Sequence, residues 1–251
     1  MFDLDRALID PAHVPAEALH FPEVFDLRFE GFSEEAFAIL ERLRAHPHIE
    51  RYRQEKEAVR THLIEPFKRY RDDLVVAFVL PNRLAFETER GVFSRLLKND
   101  FGAGGCHHHL WLSFYRPGLR RLTDVQLAHT IRPDGFTVGL FVGERMGPIF
   151  TSARRRMLRE PEAFLGLINP LLQNKKLIAG NGRKRTVFTE PLEEIPEALA
   201  KAKSLWVRQT FARADVLRWR GDLVKHSLEV VRALWPLYRY FAGGRTEPKA
   251  E

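Results

Sequence analysis

The first regular pattern of hydrophobic positions follows a proline-containing segment. Residues 1–30 mix prolines with isolated apolar residues and are predicted to form an extended lead-in. Ser33, a residue type that often caps helices, then precedes apolar residues at helical spacing, among them Phe37 and Leu40. This pattern predicts an amphipathic helix that ends before Pro47.

The next segments change from helical to strand-like character. Residues 49–70 are predicted to form a second helix, whose last turns Pro66 should kink or interrupt because proline has no N–H to donate. Residues 74–80 are a short, β-rich apolar run that predicts a buried strand. A further strand is predicted over residues 83–89, whereas residues 91–100 suit either a strand or a short helix.

A glycine-rich loop leads into three consecutive histidines and an aromatic run, which together predict a strand over residues 107–115. Side chains alternate across a strand, so five residues would share one face, namely His107, His109, Trp111, Ser113 and Tyr115.

A hairpin is predicted directly after this strand. Residues 124–131 and 136–142 are strand-like, and the Arg-Pro-Asp-Gly sequence between them suits a tight turn.

The C-terminal part returns to helical spacing. Helix is expected after Pro148, interrupted near Pro161 and Pro170, and a basic connection follows it. Strands are then predicted at residues 184–189 and 204–211, on either side of a short helix at 193–203.

A long amphipathic helix is predicted to open near Asp222 and to bend at Pro236. The predicted fold is therefore α+β, with an antiparallel sheet in the middle of the chain and helices from the N-terminal and C-terminal segments packed on it. We expect one domain over residues 31–242 and a disordered tail over 243–251.

Composition narrows the class of protein. The chain has 251 residues, 45% of them hydrophobic, and no apolar run long enough to cross a bilayer, so no membrane association is expected. The N-terminus lacks the order of charge and apolar residues of a secretory signal, which favours the cytoplasm. Cys106 is the only cysteine, so no internal disulfide and no zinc site built on several thiolates can form.

A formal net charge of +7 favours acidic partners, namely nucleic acid or a phosphorylated ligand. The alternative is a solvated, mildly basic surface, since the cations are dispersed along the chain. Exposed aromatic residues such as Trp111 and Tyr115 would let bases stack, whereas Trp206, Trp219 and Trp235 are expected to fill the core. The candidate anion-binding residues are Arg154, Arg155, Arg156, Arg183, Lys184 and Arg185.

The histidines suggest a different chemistry. His107 and His109 would point the same way on a strand, and with a third ligand such as His129 they would form a zinc site. A water on such a metal would be nucleophilic at neutral pH, as in metal-dependent hydrolases. The alternative is that these histidines lie half-exposed at a strand end and have only a structural role.

Several motifs, in the same order along the chain, resemble the bacterial and fungal domain of unknown function 2461 family. They are Phe29-Glu-Gly-Phe-Ser-Glu-Glu-Ala-Phe37, Glu65-Pro-Phe67, the 132–143 hairpin, Ala202-Lys-Ser-Leu-Trp-Val207 and Leu234-Trp-Pro-Leu-Tyr-Arg-Tyr-Phe241. The resemblance implies a single α+β domain and no established activity or cofactor. The chain departs from the family at residues 90–100, where the family's basic polar run is eroded.

The function expected from the sequence is therefore a non-enzymatic binding domain for an acidic partner, with no cofactor. Two alternatives remain open: a metal-dependent hydrolase that uses His107 and His109, and a scaffold that binds another protein. The sequence does not indicate an oligomeric state.

Overall fold

A computed structural model describes residues 7–243. The sheet has six strands in the order β1-β2-β3-β6-β4-β5, all antiparallel to their neighbours. The strands are β1 (Leu110–Phe114), β2 (Gln126–Arg132), β3 (Gly135–Val142), β4 (Lys176–Asn181), β5 (Lys184–Phe188) and β6 (Ser204–Ala212). With its helices before and after the sheet, the chain is an α+β fold, as the sequence predicts.

The helices precede the sheet, interrupt it and follow it. They are α1 (Glu34–Ala45), α2 (Ile49–Val59), α3 (Glu65–Leu74), α4 (Gly147–Arg159), α5 (Pro161–Leu172), α6 (Glu197–Ala200), α7 (Arg213–Trp219) and α8 (Leu223–Ala242). No helix in the described part of the chain is both long enough and apolar enough to span a membrane.

The two sides of the sheet differ in what covers them. In one cross-strand row Leu112, His129, Val138 and Gln209 stand opposite one another, and we call their side of the sheet the inner face. The adjacent row contains Ser113, Ala128, Gly139 and Arg208, which define the outer face.

Helices α3, α7 and α8 pack on the inner face. Tyr70 of α3 lies against His129, with ring centroids 5.6 Å apart. Phe211 of β6 contacts Trp219 of α7 at 5.1 Å and His226 of α8 at 6.5 Å. The hydrophobic core therefore lies between the inner face and the helices.

The second and third helices are joined by a π-helical turn, Arg60–Ile64, and a second π turn, Val75–Val79, extends α3. Pro66 lies in the first turn of α3, so the predicted interruption occurs just before the proline. The buried strand predicted at residues 74–80 is wrong, because this segment continues the helix. An apolar run of this length suits either a strand or a helix, and no proline or glycine separates it from α3.

The strand predictions hold best in the hairpin. Strands β2 and β3 confirm it, with Pro133 and Asp134 in its turn. Residues 83–89 and 91–100 form neither strand nor helix and make only isolated bridges, for example Phe93 with Leu112. The basic connection contains β4, which was not predicted from the sequence. Helix α7, which follows β6, was not predicted either.

Residues 7–30 form two short 3₁₀ turns and otherwise irregular backbone, and they pack against the helices. Asp73 of α3 accepts hydrogen bonds from the backbone N–H groups of Arg28 and Phe29, at 3.0 and 2.8 Å. The indole of Trp235 in α8 donates to the carbonyl of Val14 at 2.9 Å. Of the predicted lead-in and tail, residues 1–6 and 244–251 lie outside the described residues.

A buried ion pair joins distant parts of the chain. Asp124 accepts hydrogen bonds from the backbone N–H of Arg116 at 2.8 Å and from its guanidinium at 2.5 Å. Arg116 also donates to the carbonyl of Ala242, at the end of α8, at 3.2 Å. Burial opposes the charge of Arg116, but the hydrogen bond and charge of Asp124 raise its pKa overall.

Replacing Asp124 with asparagine should lower the free energy of unfolding by about 3 kcal/mol, because it leaves the buried guanidinium of Arg116 with only the longer pair to Asp10, at 3.7 Å, as a counter-charge. Urea denaturation followed by circular dichroism measures this change.

The control is Asp72→Asn, because Asp72 pairs with Arg71 at the surface and should contribute less than about 1 kcal/mol. Equal, small changes in both variants would contradict a structural role for the buried pair.

Candidate functional site

The sheet carries an unbalanced charge. None of its strands contains aspartate or glutamate. By the strand register, the basic side chains of Arg132, Lys176, Arg185 and Arg208 all fall on the outer face. The outer face is therefore positively charged, and no strand residue compensates that charge.

At one end of the outer face a tryptophan lies beneath an arginine. The guanidinium of Arg121 lies 4.3 Å from the ring centroid of Trp111 on β1, and it donates to the carbonyl of Phe93. No carboxylate among the described residues pairs with Arg121. Burial lowers the pKa of this guanidinium, although it remains a cation at neutral pH.

A second aromatic group lies on the central strands. Trp206 of β6 contacts Phe141 of β3 at a centroid distance of 5.1 Å, and Arg208 lies 5.6 Å from the Trp206 ring. A Cβ at Gly139 would lie only 2.7 Å from the indole nitrogen of Trp206, so this position must be glycine for Trp206 to lie on the strands. The indole N–H has no hydrogen-bond acceptor within the described residues.

Small side chains with hydroxyl groups lie between Trp111 and Trp206 on the outer face. Ser113, Thr130 and Thr137 are all buried on the outer face. The hydroxyl of Ser113 has no partner among the described residues, whereas Thr137 lies 3.1 Å from the hydroxyl of Thr210. Buried hydroxyl groups usually have hydrogen-bond partners, so packing alone does not account for the unpartnered hydroxyl of Ser113.

A cavity of about 300 Å³ lies at the far end of the outer face. Its lining combines the cations Arg145, Arg185 and Lys203 with Leu122 and Phe141. The positive surface of the outer face therefore ends in a basic pocket.

Several arginines among the helices, in contrast, have acidic partners. Arg42 pairs with Glu35 and Glu55 at 2.6 and 2.7 Å, and Arg213 with Glu34 and Glu41 at 2.5 and 2.9 Å. These ion pairs neutralise positive charge between the helices. The excess positive charge of the protein is therefore less compensated by carboxylates on the outer face.

The predicted anion-binding residues do not form one site. Arg154, Arg155 and Arg156 lie on α4, where Arg156 stacks on Tyr240 of α8 with its guanidinium 3.9 Å from the ring centroid. They belong to the helical layer. Arg183, Lys184 and Arg185 lie exposed in the β4–β5 hairpin, and among them Arg185 lines the basic cavity.

The histidines precede β1 instead of lying within it, so the predicted strand is too long at its start. The rings of His107 and His109 are close, with centroids 5.0 Å apart. Burial, with a contribution from the charge of Arg132, lowers the pKa of His109 to about 4. This pair is therefore neutral at pH 7 beside a cation.

The structure does not bring His129 to this pair. His129 is 1% exposed on the inner face, opposite Leu112, and its Nδ1 lies 2.8 Å from the hydroxyl of Tyr70. Burial raises the pKa of Tyr70, so its hydroxyl keeps its proton in this contact. His129 is therefore not placed beside His107 and His109 as a third ligand, and within residues 7–243 no three histidine, cysteine or acidic side chains are placed to hold a metal ion.

Two other predictions need correction. Tyr115 is buried and donates to the carbonyl of Arg90 at 2.8 Å, so it offers no stacking surface. Trp206 was expected in the core but is half-exposed on the outer face, whereas Trp235 is fully buried as expected. The sequence analysis also missed Arg121 and Arg208, whose roles depend on strand register and on a loop that folds back over β1.

No model of a known protein family matches the chain, and no curated protein matches it. The resemblance to the domain of unknown function 2461 family therefore remains a prediction.

The buried His129 makes stability depend on pH. Burial lowers its pKa to about 3 in the folded state, below its value in the unfolded chain, so the unfolded chain binds a proton first as the pH falls. The free energy of unfolding should therefore decrease below about pH 6.5, and at pH 5 this residue should lower it by roughly 2 kcal/mol relative to neutral pH. Urea denaturation at pH 6.5, 6.0, 5.5 and 5.0 measures the slope.

His129→Gln should reduce this slope, and the exposed His13→Gln should leave it unchanged. If the stability of His129→Gln declined with pH in parallel with that of the unaltered protein, His129 would not be the group responsible.

Proposed function

We propose that this protein binds single-stranded nucleic acid on the outer face of its sheet. The observation that carries the proposal is the placement of Arg121 over Trp111 and of Arg208 beside Trp206, on strands that contain no aspartate or glutamate. Bases can stack on the plane of an arginine guanidinium as well as on an aromatic ring, and arginines also contact phosphates, a combination typical of single-strand binding surfaces.

The size of the surface favours a strand over a mononucleotide. Trp111 and Trp206 are separated by three strand spacings and by four residues along β6, counted from the register partner of Trp111. At about 4.8 Å per strand and 3.4 Å per residue, they lie about 20 Å apart. One base cannot contact both rings, so a ligand that uses both extends over several nucleotides.

The basic cavity also favours a ligand that extends past Trp206. Its cations, Arg145, Arg185 and Lys203, extend the positive surface beyond Trp206. A phosphate backbone that leaves Trp206 along this path would meet these cationic donors. Binding of this kind should weaken as salt rises, because phosphate contacts release counterions.

The test is fluorescence anisotropy with a labelled single-stranded oligonucleotide over a series of salt concentrations. Arg121→Glu combined with Arg208→Glu should weaken binding at least tenfold and should reduce the salt slope by about 1.4, since each lost phosphate contact on a single strand contributes about 0.7. A duplex of the same sequence should bind more weakly, because its paired bases cannot stack on the tryptophans.

The matched control is Arg154→Glu combined with Arg155→Glu, which changes the charge equally but on α4. It should change the affinity by less than about threefold. The proposal is wrong if the unaltered protein does not bind the oligonucleotide at low salt. It is also wrong if the α4 variant loses affinity while the outer-face variant, with an unchanged circular dichroism spectrum, keeps it.

A further inference from the structure

A second cavity, of about 520 Å³, lies on the side of the sheet away from the proposed nucleic-acid surface. It opens where β6 meets α7 and α8. Phe211 and Trp219 give it aromatic walls, and Gln209 and Asn174 add amide groups. Cavities of this size that combine aromatic walls with a few polar groups are typical of small-molecule sites.

The cavity contains an unusual lysine. Lys175 is only 5% exposed, and its Nζ donates to the neutral side-chain oxygen of Asn174 at 2.7 Å. No carboxylate among the described residues pairs with it. Lysine is almost never buried without a counter-charge, because desolvation penalises the ammonium ion. Burial accordingly lowers the pKa of Lys175, which increases the fraction of neutral amine.

An acid–base pair lines the same cavity. The Nδ1 atom of His226 lies 3.4 Å from a carboxylate oxygen of Glu229, one turn further along α8, and its ring stacks on Trp219 at 3.9 Å. An amine, an imidazole–carboxylate pair, amide groups and a second carboxylate, that of Asp215, therefore surround one space. This arrangement suits a nucleophilic amine with a nearby group that carries protons.

We propose that this cavity binds a small aldehyde or 2-oxo acid, and that Lys175 forms an imine with its carbonyl carbon. The neutral amine adds to the carbonyl, so a carbon–nitrogen bond forms and a carbinolamine results. One proton moves from the nitrogen to the oxygen, so the carbinolamine carries one N–H and one hydroxyl group. The hydroxyl takes up a proton, the carbon–oxygen bond breaks and water leaves, which gives an iminium ion with one N–H. Loss of that proton gives the neutral imine, so the proton taken up is returned. His226 lies in the same cavity to carry these protons.

Glyoxylate with sodium cyanoborohydride tests the proposal on the full-length protein, since hydride from the reagent converts the imine into a stable carboxymethyl-lysine. Peptide mass spectrometry then gives the rate at each lysine. Lys175 should react at least tenfold faster than Lys176, the exposed neighbour on the outer face, and urea should abolish the difference.

Lys175→Met should remove the fast-reacting site, and Lys176→Met should retain it. His226→Gln should slow the reaction at Lys175 at least threefold and leave Lys176 unchanged; an unchanged rate at Lys175 would contradict the role of His226. Protection of Lys175 in the folded protein, or a rate equal to that of Lys176, would overturn the proposal. These results are independent of nucleic-acid binding, because Lys175 lies away from the outer face.

Discussion

The packing of helices on one face of the sheet is the constraint on which the rest of the structure depends. Tyr70, Trp219 and His226 belong to three different helices, and each contacts a ring on the inner face. This packing buries His129 as a neutral side chain within the core. It also leaves the opposite face to be covered by the side chains of the strands and of the loop at Arg121.

The outer face follows from that constraint. Without a helix to cover them, its strands carry large side chains that lie along the sheet, and Gly139 provides the space that Trp206 needs. Cations on this face lack the acidic partners that Arg42 and Arg213 find among the helices. Aromatic surface and uncompensated positive charge therefore coincide, and this coincidence supports the proposal of nucleic-acid binding.

The sequence predicted those elements whose signals are local. The 132–135 turn identified the β2–β3 hairpin, and helical spacing identified α1 and most of α8. It failed where an apolar run suits two structures, as at residues 74–80, and where strand pairing decides which residues meet, as for His129. The charged clusters along the chain did not indicate the candidate site either. Arg208 is isolated in sequence, and although Arg121 follows Arg120, its place over Trp111 depends on the fold of a loop.

Photo-cross-linking tests whether single-stranded nucleic acid binds the outer face of the sheet. A single-stranded oligonucleotide that contains 5-bromouridine is irradiated in complex with the full-length protein, and the linked peptides are identified by mass spectrometry. Binding on the outer face should give adducts on Trp111, Trp206 or Phe141, the aromatic residues that lie there. Adducts confined to the peptides of α4, with none on β1, β3 or β6, would contradict it.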